Sequence, residues 1–221
     1  MITKAELEFL VALQKNNNRE WFAAHKKEFQ SHEKKVKSFF KEINDDLEKL
    51  DSIDKMQVFR IYRDVRFSKD KSPYKNHFSV GFSRTKPLLR GGYYLHIEPG
   101  ASFIGGGFWD PNAEDLNRIR KEFETDDEEI RAIIADPTFQ KVFGELKGDE
   151  LKTAPKGFDK AHPAIDLIRK KQFLVSKSFT DQEVIHPDFK KEVLATFQAM
   201  RPFFDYMSDV LSTNLNGESL Y

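Results

Sequence analysis

Hydrophobic positions along the chain change their period twice, from helical spacing to alternation and back. Thr3 and Glu6 have the spacing of a capping box, and Leu7, Leu10 and Val11 follow at helical spacing. The run Asn16, Asn17, Asn18 breaks this helix, and Asn18 is suited to cap a second one. Trp21, Phe22, His25 and Phe29 then form an apolar stripe, which Val36, Phe39, Phe40, Ile43, Leu47 and Leu50 extend after a kink expected near Ser31. Two or three helices are therefore expected in the first fifty residues.

From residue 57 to 67 the period becomes two, which predicts the central strand of a sheet. Phe59, Ile61, Val65 and Phe67 share one face; Arg60, Tyr62, Asp64 and Arg66 share the other. Residues 68–76 read as a polar loop with a Ser-Pro turn. Residues 77–83 alternate again, with Phe78, Val80 and Phe82 inward. Residues 93–98 and 102–108 give two more strands around the tight turn Pro99-Gly100, a spacing that pairs His96 with Phe103. Connections this short favour an antiparallel meander.

Helical spacing returns after Pro111, through Leu116, Ile119 and Phe123, with shorter pieces at 126–134 and 138–143 and a helical turn at 163–169. Residues 172–179 read as a fifth strand. Asp188 is placed to cap a long last helix striped by Phe189, Val193, Phe197, Met200, Phe204 and Met207, with a kink or break expected at Pro202. The fold class is α+β: a central antiparallel four- to five-stranded meander sheet flanked by N-terminal and C-terminal helices, in a single domain spanning 1–221.

Composition narrows the class. Charged residues make up 33% of the chain, but 21 Phe supply enough apolar area for a core. No apolar run approaches the ~18 residues of a membrane span, and the N-terminus has no signal-peptide core, so a soluble, cytoplasmic protein is expected. The absence of cysteine excludes disulfides, thiolate–zinc sites and thiol chemistry. No cofactor motif is present, and no P-loop, nucleophile elbow or EF-hand spacing.

The net charge of zero conceals a division. Residues 60–90 carry nine Lys/Arg against two Asp, and residues 110–150 carry thirteen Asp/Glu against six Lys/Arg. Either the two segments compensate each other by packing together, or the basic one binds an anion.

The candidate chemistry lies in four places. Arg60 and Arg66 point together on the predicted strand, with Asp64 as a local partner, whereas Arg63 falls on the apolar side and needs a carboxylate or an open pocket. The following loop adds Lys69, Lys71, Lys75 and His77; lysine point charges and arginine forks together suit phosphate or carboxylate groups. His96 and Glu98, two apart on a strand, can act as an acid–base pair or as two metal ligands. A metal would need a third donor such as His77 or His162, and no metal is assigned. Gly105, Gly106 and Gly107 either let backbone amides close on an anion or mark a bulge at the sheet end.

The run Tyr62-Arg63-Asp64-Val65-Arg66-Phe67-Ser68-Lys69-Asp70-Lys71-Ser72-Pro73-Tyr74-Lys75 resembles the signature of the family called domain of unknown function 2461. So do His96-x-x-Pro99-Gly100-x-Ser102-Phe103-x-Gly105-Gly106-Gly107-x-Trp109, and Pro155-Lys156-Gly157-Phe158 followed by His162-Pro163. Only Asn76 and Asn112 depart from the pattern. The resemblance implies that these segments form one polar cleft and supplies no activity.

The preferred expectation is a small anionic ligand held by Arg60, Arg63, Arg66, Lys69, Lys71, Lys75, His77 and the 105–107 backbone, with His96 and Glu98 as catalytic candidates if the protein is an enzyme. Two alternatives stand beside it: self-association through the basic and acidic halves and the last helix, and, less favoured, nucleic-acid binding with Tyr62, Phe67, Tyr74, Tyr93 and Tyr94 stacking on bases. Oligomeric state is not legible in the sequence.

Overall fold

A computed structural model describes residues 1–66 and 69–221. The chain begins with helices α1 (Lys4–Lys15), α2 (Arg19–Ala24) and α3 (Lys26–Leu47). Strands β1 (Ile53–Val58), β2 (Phe78–Arg84), β3 (Gly92–Ile97) and β4 (Ser102–Phe108) follow. Next come α4 (Ala113–Thr125), α5 (Glu128–Ala135), α6 (Pro137–Phe143) and α7 (Ile165–Ile168). Strand β5 (Phe173–Phe179), α8 (Asp181–Ile185) and α9 (Phe189–Ser212) complete the order. The five strands form one antiparallel sheet in the order β1-β2-β3-β4-β5, the expected meander of an α+β protein. Among the described residues no helix is long and apolar enough to cross a membrane.

Local chemistry sets the helix boundaries. The Thr3 N–H and hydroxyl both reach Glu6, forming the capping box of α1. Asn18 accepts from the Trp21 N–H at the start of α2. Helix α3 runs straight through Ser31; the break falls earlier, at His25, between α2 and α3. Helix α9 continues through Pro202 instead of ending there. Its flanking residues Met200, Phe203, Phe204 and Met207 are fully buried, and that packing outweighs one lost helical hydrogen bond.

One correction concerns the predicted strand at 57–67. Strand β1 starts four residues earlier, lies at the sheet edge and stops at Val58. The Phe59 N–H still reaches the Ser79 carbonyl, but the pairing then falls out of step: Val58 faces Val80, whereas Tyr62 forms an isolated bridge with Tyr74. Two bonds hold this outer arm, Arg63 N–H to the Pro73 carbonyl at 3.0 Å and Lys75 N–H to the Ile61 carbonyl at 2.7 Å. Pro73 has no N–H to give a regular ladder. Tyr74 is also fixed from the helical side, by both Asn17 amide atoms and by stacking on Phe22 at 4.0 Å. The alternation itself persists in the arm: Arg60, Tyr62, Asp64 and Arg66 are exposed, while Ile61 is buried and Arg63 and Val65 are half-buried. Phe67 and Ser68, which the strand and loop readings include, lie outside the described residues.

The helices cover one face of the sheet. Val80, Phe82, Tyr93, Leu95, Ile104 and Val175 point to that side and are buried with the stripe of α9. Gly106 belongs here too, because a Cβ at this position would meet Met200 Sδ at 2.5 Å. The opposite face carries Ser79, Gly81, Tyr94, His96, Phe103, Gly105, Leu174 and Ser176, and this face holds the cleft described next.

Candidate functional site

Glycine shapes the open face. Phe59 lies over Gly81, Gly105 leaves the middle of the sheet without a side chain, and Phe59, Tyr94, Phe103 and Trp109 stand around the opening. The result is a mostly apolar cleft of about 710 Å³, whose far side is closed by Lys147, Leu174, Val175 and Ser176. Lys147 reaches there by pairing its backbone with Leu174 and donating from Nζ to Ser176 Oγ at 2.8 Å. Trp109 is 70% exposed, an unusual state for the largest apolar side chain.

The triple glycine works by omission. Gly105, Gly106 and Gly107 lie inside β4, paired with β5, and the first two are also paired with β3. Their backbone is thus enclosed in the ladder rather than curled into an anion nest. Gly107 has φ of 131°, and a Cβ there would meet the Phe173 carbonyl oxygen at 2.1 Å, so this position serves the fold. Gly105 has ordinary room for a Cβ, so its missing side chain adds space to the cleft.

At one end of the cleft stands a polar cluster. His96 and Phe103 are directly paired across β3 and β4, as the Pro99-Gly100 spacing predicts, and their rings stack at 4.8 Å. On the other side His77 lies 4.0 Å from the His96 ring. His96 Nε2 donates to Glu98 Oε2 at 2.8 Å. A carboxylate only accepts, so that nitrogen carries the proton, and Nδ1 accepts from the Tyr94 hydroxyl at 3.1 Å. Asn76 Nδ2 donates to the second Glu98 oxygen at 2.6 Å. Burial, opposed by the Glu98 contact, lowers the His96 pKa on balance. Burial, with the charges of His96, Lys75 and Arg63, brings His77 down to about 3. Both imidazoles are therefore neutral at physiological pH.

Positive charge gathers beside this cluster. Lys75 sits 5.6 Å from the Phe59 ring centre, between the arm and the cleft. Burial lowers its pKa, and the neighbouring Arg60 and Arg63 lower it further. The apolar-side Arg63 has found a carboxylate, Asp70 at 3.0 Å, but that partner is itself half-exposed and the Arg63 Nε is buried with no acceptor. Among the described residues no carboxylate lies within ion-pair distance of Arg60 or Lys75.

The basic loop is thus divided. Lys75, His77 and Arg63 gather near His96, with Arg60 beside Lys75. Arg66 instead holds Asp64 in a two-point contact, Lys71 donates to the Val65 carbonyl at 2.8 Å, and Lys69 is exposed. Of the two histidines considered as a third donor, His77 joins the pair; His162 accepts from the Ala164 N–H in its own turn. Mutual compensation of the basic and acidic segments is slight: among the described residues one ion pair joins them, Arg90 with Asp115.

Phe59, Lys147, Leu174 and Ser176 were not singled out by the sequence reading. Phe59 had a usable signal, since the alternating pattern runs through it. Lys147 had none, because it lies in the acidic segment and reaches the cleft only through pairing with β5.

The fold and this cleft define an α+β protein with a helix-backed meander sheet and a glycine-floored, aromatic-walled open face. The chain belongs to the family described as conserved hypothetical protein (DUF2461), whose family model matches residues 5–206. No significant match is found among curated proteins or among solved structures.

Proposed function

We propose that this protein binds a small anionic ligand with a flat apolar or aromatic portion. The flat portion lies on the floor at Gly105, between Phe59, Tyr94, Phe103 and Trp109. The anionic group, a phosphate or carboxylate, is directed to Lys75 with Arg60 and Arg63 behind it. The observation that carries this reading is the conjunction of an aromatic cleft of about 710 Å³ with adjacent cations that have too few carboxylates of their own. A cleft of this size, apolar with a few polar groups at one end, has the anatomy of small-molecule sites. Unmatched cations beside low-dielectric walls attract anions more strongly than the same charges on an open surface.

The test is a thermal-shift and calorimetric screen of aromatic phosphates, aromatic carboxylates and mononucleotides, with a single-stranded oligonucleotide for comparison. Saturable binding of a small anion, lost in Lys75→Ala and in Gly105→Leu, is expected. The reading fails if the panel gives no binding, or if a ligand that binds is indifferent to both substitutions. Salt-sensitive binding of the oligonucleotide alone would point to nucleic acid instead.

A further inference from the structure

We infer that His77, His96 and Glu98 form a binding site for one divalent transition-metal ion of the zinc and iron type. The donor atoms of these three residues all lie within 4.8 Å of one another, and two of them, His96 Nε2 and Glu98 Oε2, are 2.8 Å apart. Donors about 2.1 Å from a common ion stand roughly 3 to 4 Å apart. His96 and Glu98 are thus already near the required separation, and His77 lies close enough to complete it by a small side-chain movement. Two neutral imidazoles and one carboxylate are a donor set that suits zinc or iron(II) and leaves coordination positions for water or a ligand.

Three further observations favour a metal over proton transfer by His96. Both nitrogens of His96 are engaged, by Glu98 and Tyr94, so neither is free to exchange a proton with a molecule in the cleft. His77 makes no hydrogen bond to the protein among the described residues, although it is half-buried against His96, so its ring nitrogens are available to an ion. The outer contacts are also those a metal site uses. Asn76 fixes the free oxygen of Glu98, and Tyr94 holds the His96 nitrogen that would face away from the ion. On binding, the ion takes the place of the His96–Glu98 hydrogen bond: the proton moves from Nε2 to Nδ1, and Nδ1 then donates to the Tyr94 oxygen. Lys75 is the opposing charge. It lowers the affinity for a dication, and with the ion bound it makes that end of the cleft more attractive to an anion.

This inference does not rest on the ligand reading, and the two are measured separately. The full chain, stripped with a chelator, is titrated with Zn²⁺ and with Co²⁺ in the absence of any organic ligand. One Zn²⁺ per chain is expected, with visible absorption bands on Co²⁺ loading and no competition from excess Mg²⁺. Glu98→Gln and His77→Ala abolish stoichiometric binding, whereas His162→Ala and His186→Ala leave it unchanged. Asn76→Ala keeps all three donors and weakens affinity about ten- to a hundredfold. Circular dichroism reports whether each variant folds; where the donor variants do not, Asn76→Ala decides. Absence of saturable binding, loss of binding in the His162 or His186 variants, or unchanged affinity in Asn76→Ala each overturns the assignment.

Discussion

The two faces of the sheet hold arginines in opposite circumstances. Behind the sheet, Arg84 is fully buried and its charge is offset by two carboxylates, although its Nε makes no hydrogen bond. Its Nε lies 2.8 Å from Asp51, its Nη2 2.5 Å from Asp205, and its Nη1 reaches Ser208 Oγ and the Arg90 carbonyl. Tyr93 donates to the same Asp51 at 2.5 Å, and Arg201 completes a cluster of two guanidinium groups and two carboxylates. Beside the open face, Arg63 meets the half-exposed Asp70, and among the described residues Arg60 and Lys75 have no carboxylate within ion-pair distance. Equal residue types thus serve different ends. A charge removed from water must be neutralised by the protein itself, whereas a charge at a cleft mouth can stay unmatched because water, or a ligand, completes it.

The largest effect that would break this comparison is on the buried side. Arg84→Ala leaves Asp51 and Asp205 without their partner and is expected to cost about 3 to 5 kcal/mol in denaturant unfolding. A loss below about 1 kcal/mol would mean the cluster is not the structural anchor described here. The next contrast lies within β4. Gly107→Ala forces a Cβ onto the Phe173 carbonyl at positive φ and is expected to cost more than 2 kcal/mol, while Gly105→Ala stays within about 1 kcal/mol. Equal melting temperatures for the two variants would refute the division of roles among the three glycines. Lys75→Ala should change stability by less than about 0.5 kcal/mol while removing ligand-induced stabilisation. A large stability loss would instead make Lys75 a structural residue.

The smallest expected effect is a pH dependence on the helical side. Burial would raise the pKa of Glu6, but hydrogen bonds from Thr3 and His32 and the Lys35 charge outweigh it and leave the carboxyl below its ordinary value. A carboxyl depressed in the folded state contributes stability above its unfolded pKa of about 4.3. That contribution is lost as pH falls through the lower folded value. Unfolding measured from pH 6 to pH 3 should therefore show an acid-limb loss that Glu6→Gln flattens. An identical slope in the variant would remove Glu6 from the account.

Legibility in the sequence followed the range of the interaction. The capping box at Thr3 and Glu6, the Asn18 cap, strand β4 and the His96–Phe103 pairing are set by neighbours a few residues apart, and each was read correctly. The 57–67 segment shows a limit of periodicity. Alternation reported the inward side of Ile61 and Val65 but not that Phe59, expected on the same face, turns to the open cleft, and it could not say whether the backbone pairs in a sheet, because Pro73 and the Asn17–Tyr74 contacts decide that from elsewhere. Arg84 shows another limit. It continues the inward phase of Val80 and Phe82, so the argument applied to Arg63 held for it equally, yet its partners Asp51 and Asp205 are distant in sequence.

The long helices, strands β2 to β5, their meander order and the inward phase of β2 were determined by the sequence alone, through hydrophobic period, caps and short turns. The family signature segments were visible there as well. Only the tertiary structure decided which basic residues gather around Lys75 and His77, that His77 rather than His162 joins His96 and Glu98, and that Lys147 closes the far side of the cleft. The physical reason is that period and turn chemistry act over a few residues. Charge pairing and metal-ligand geometry depend on atoms a few ångströms apart in space, whatever their separation along the chain.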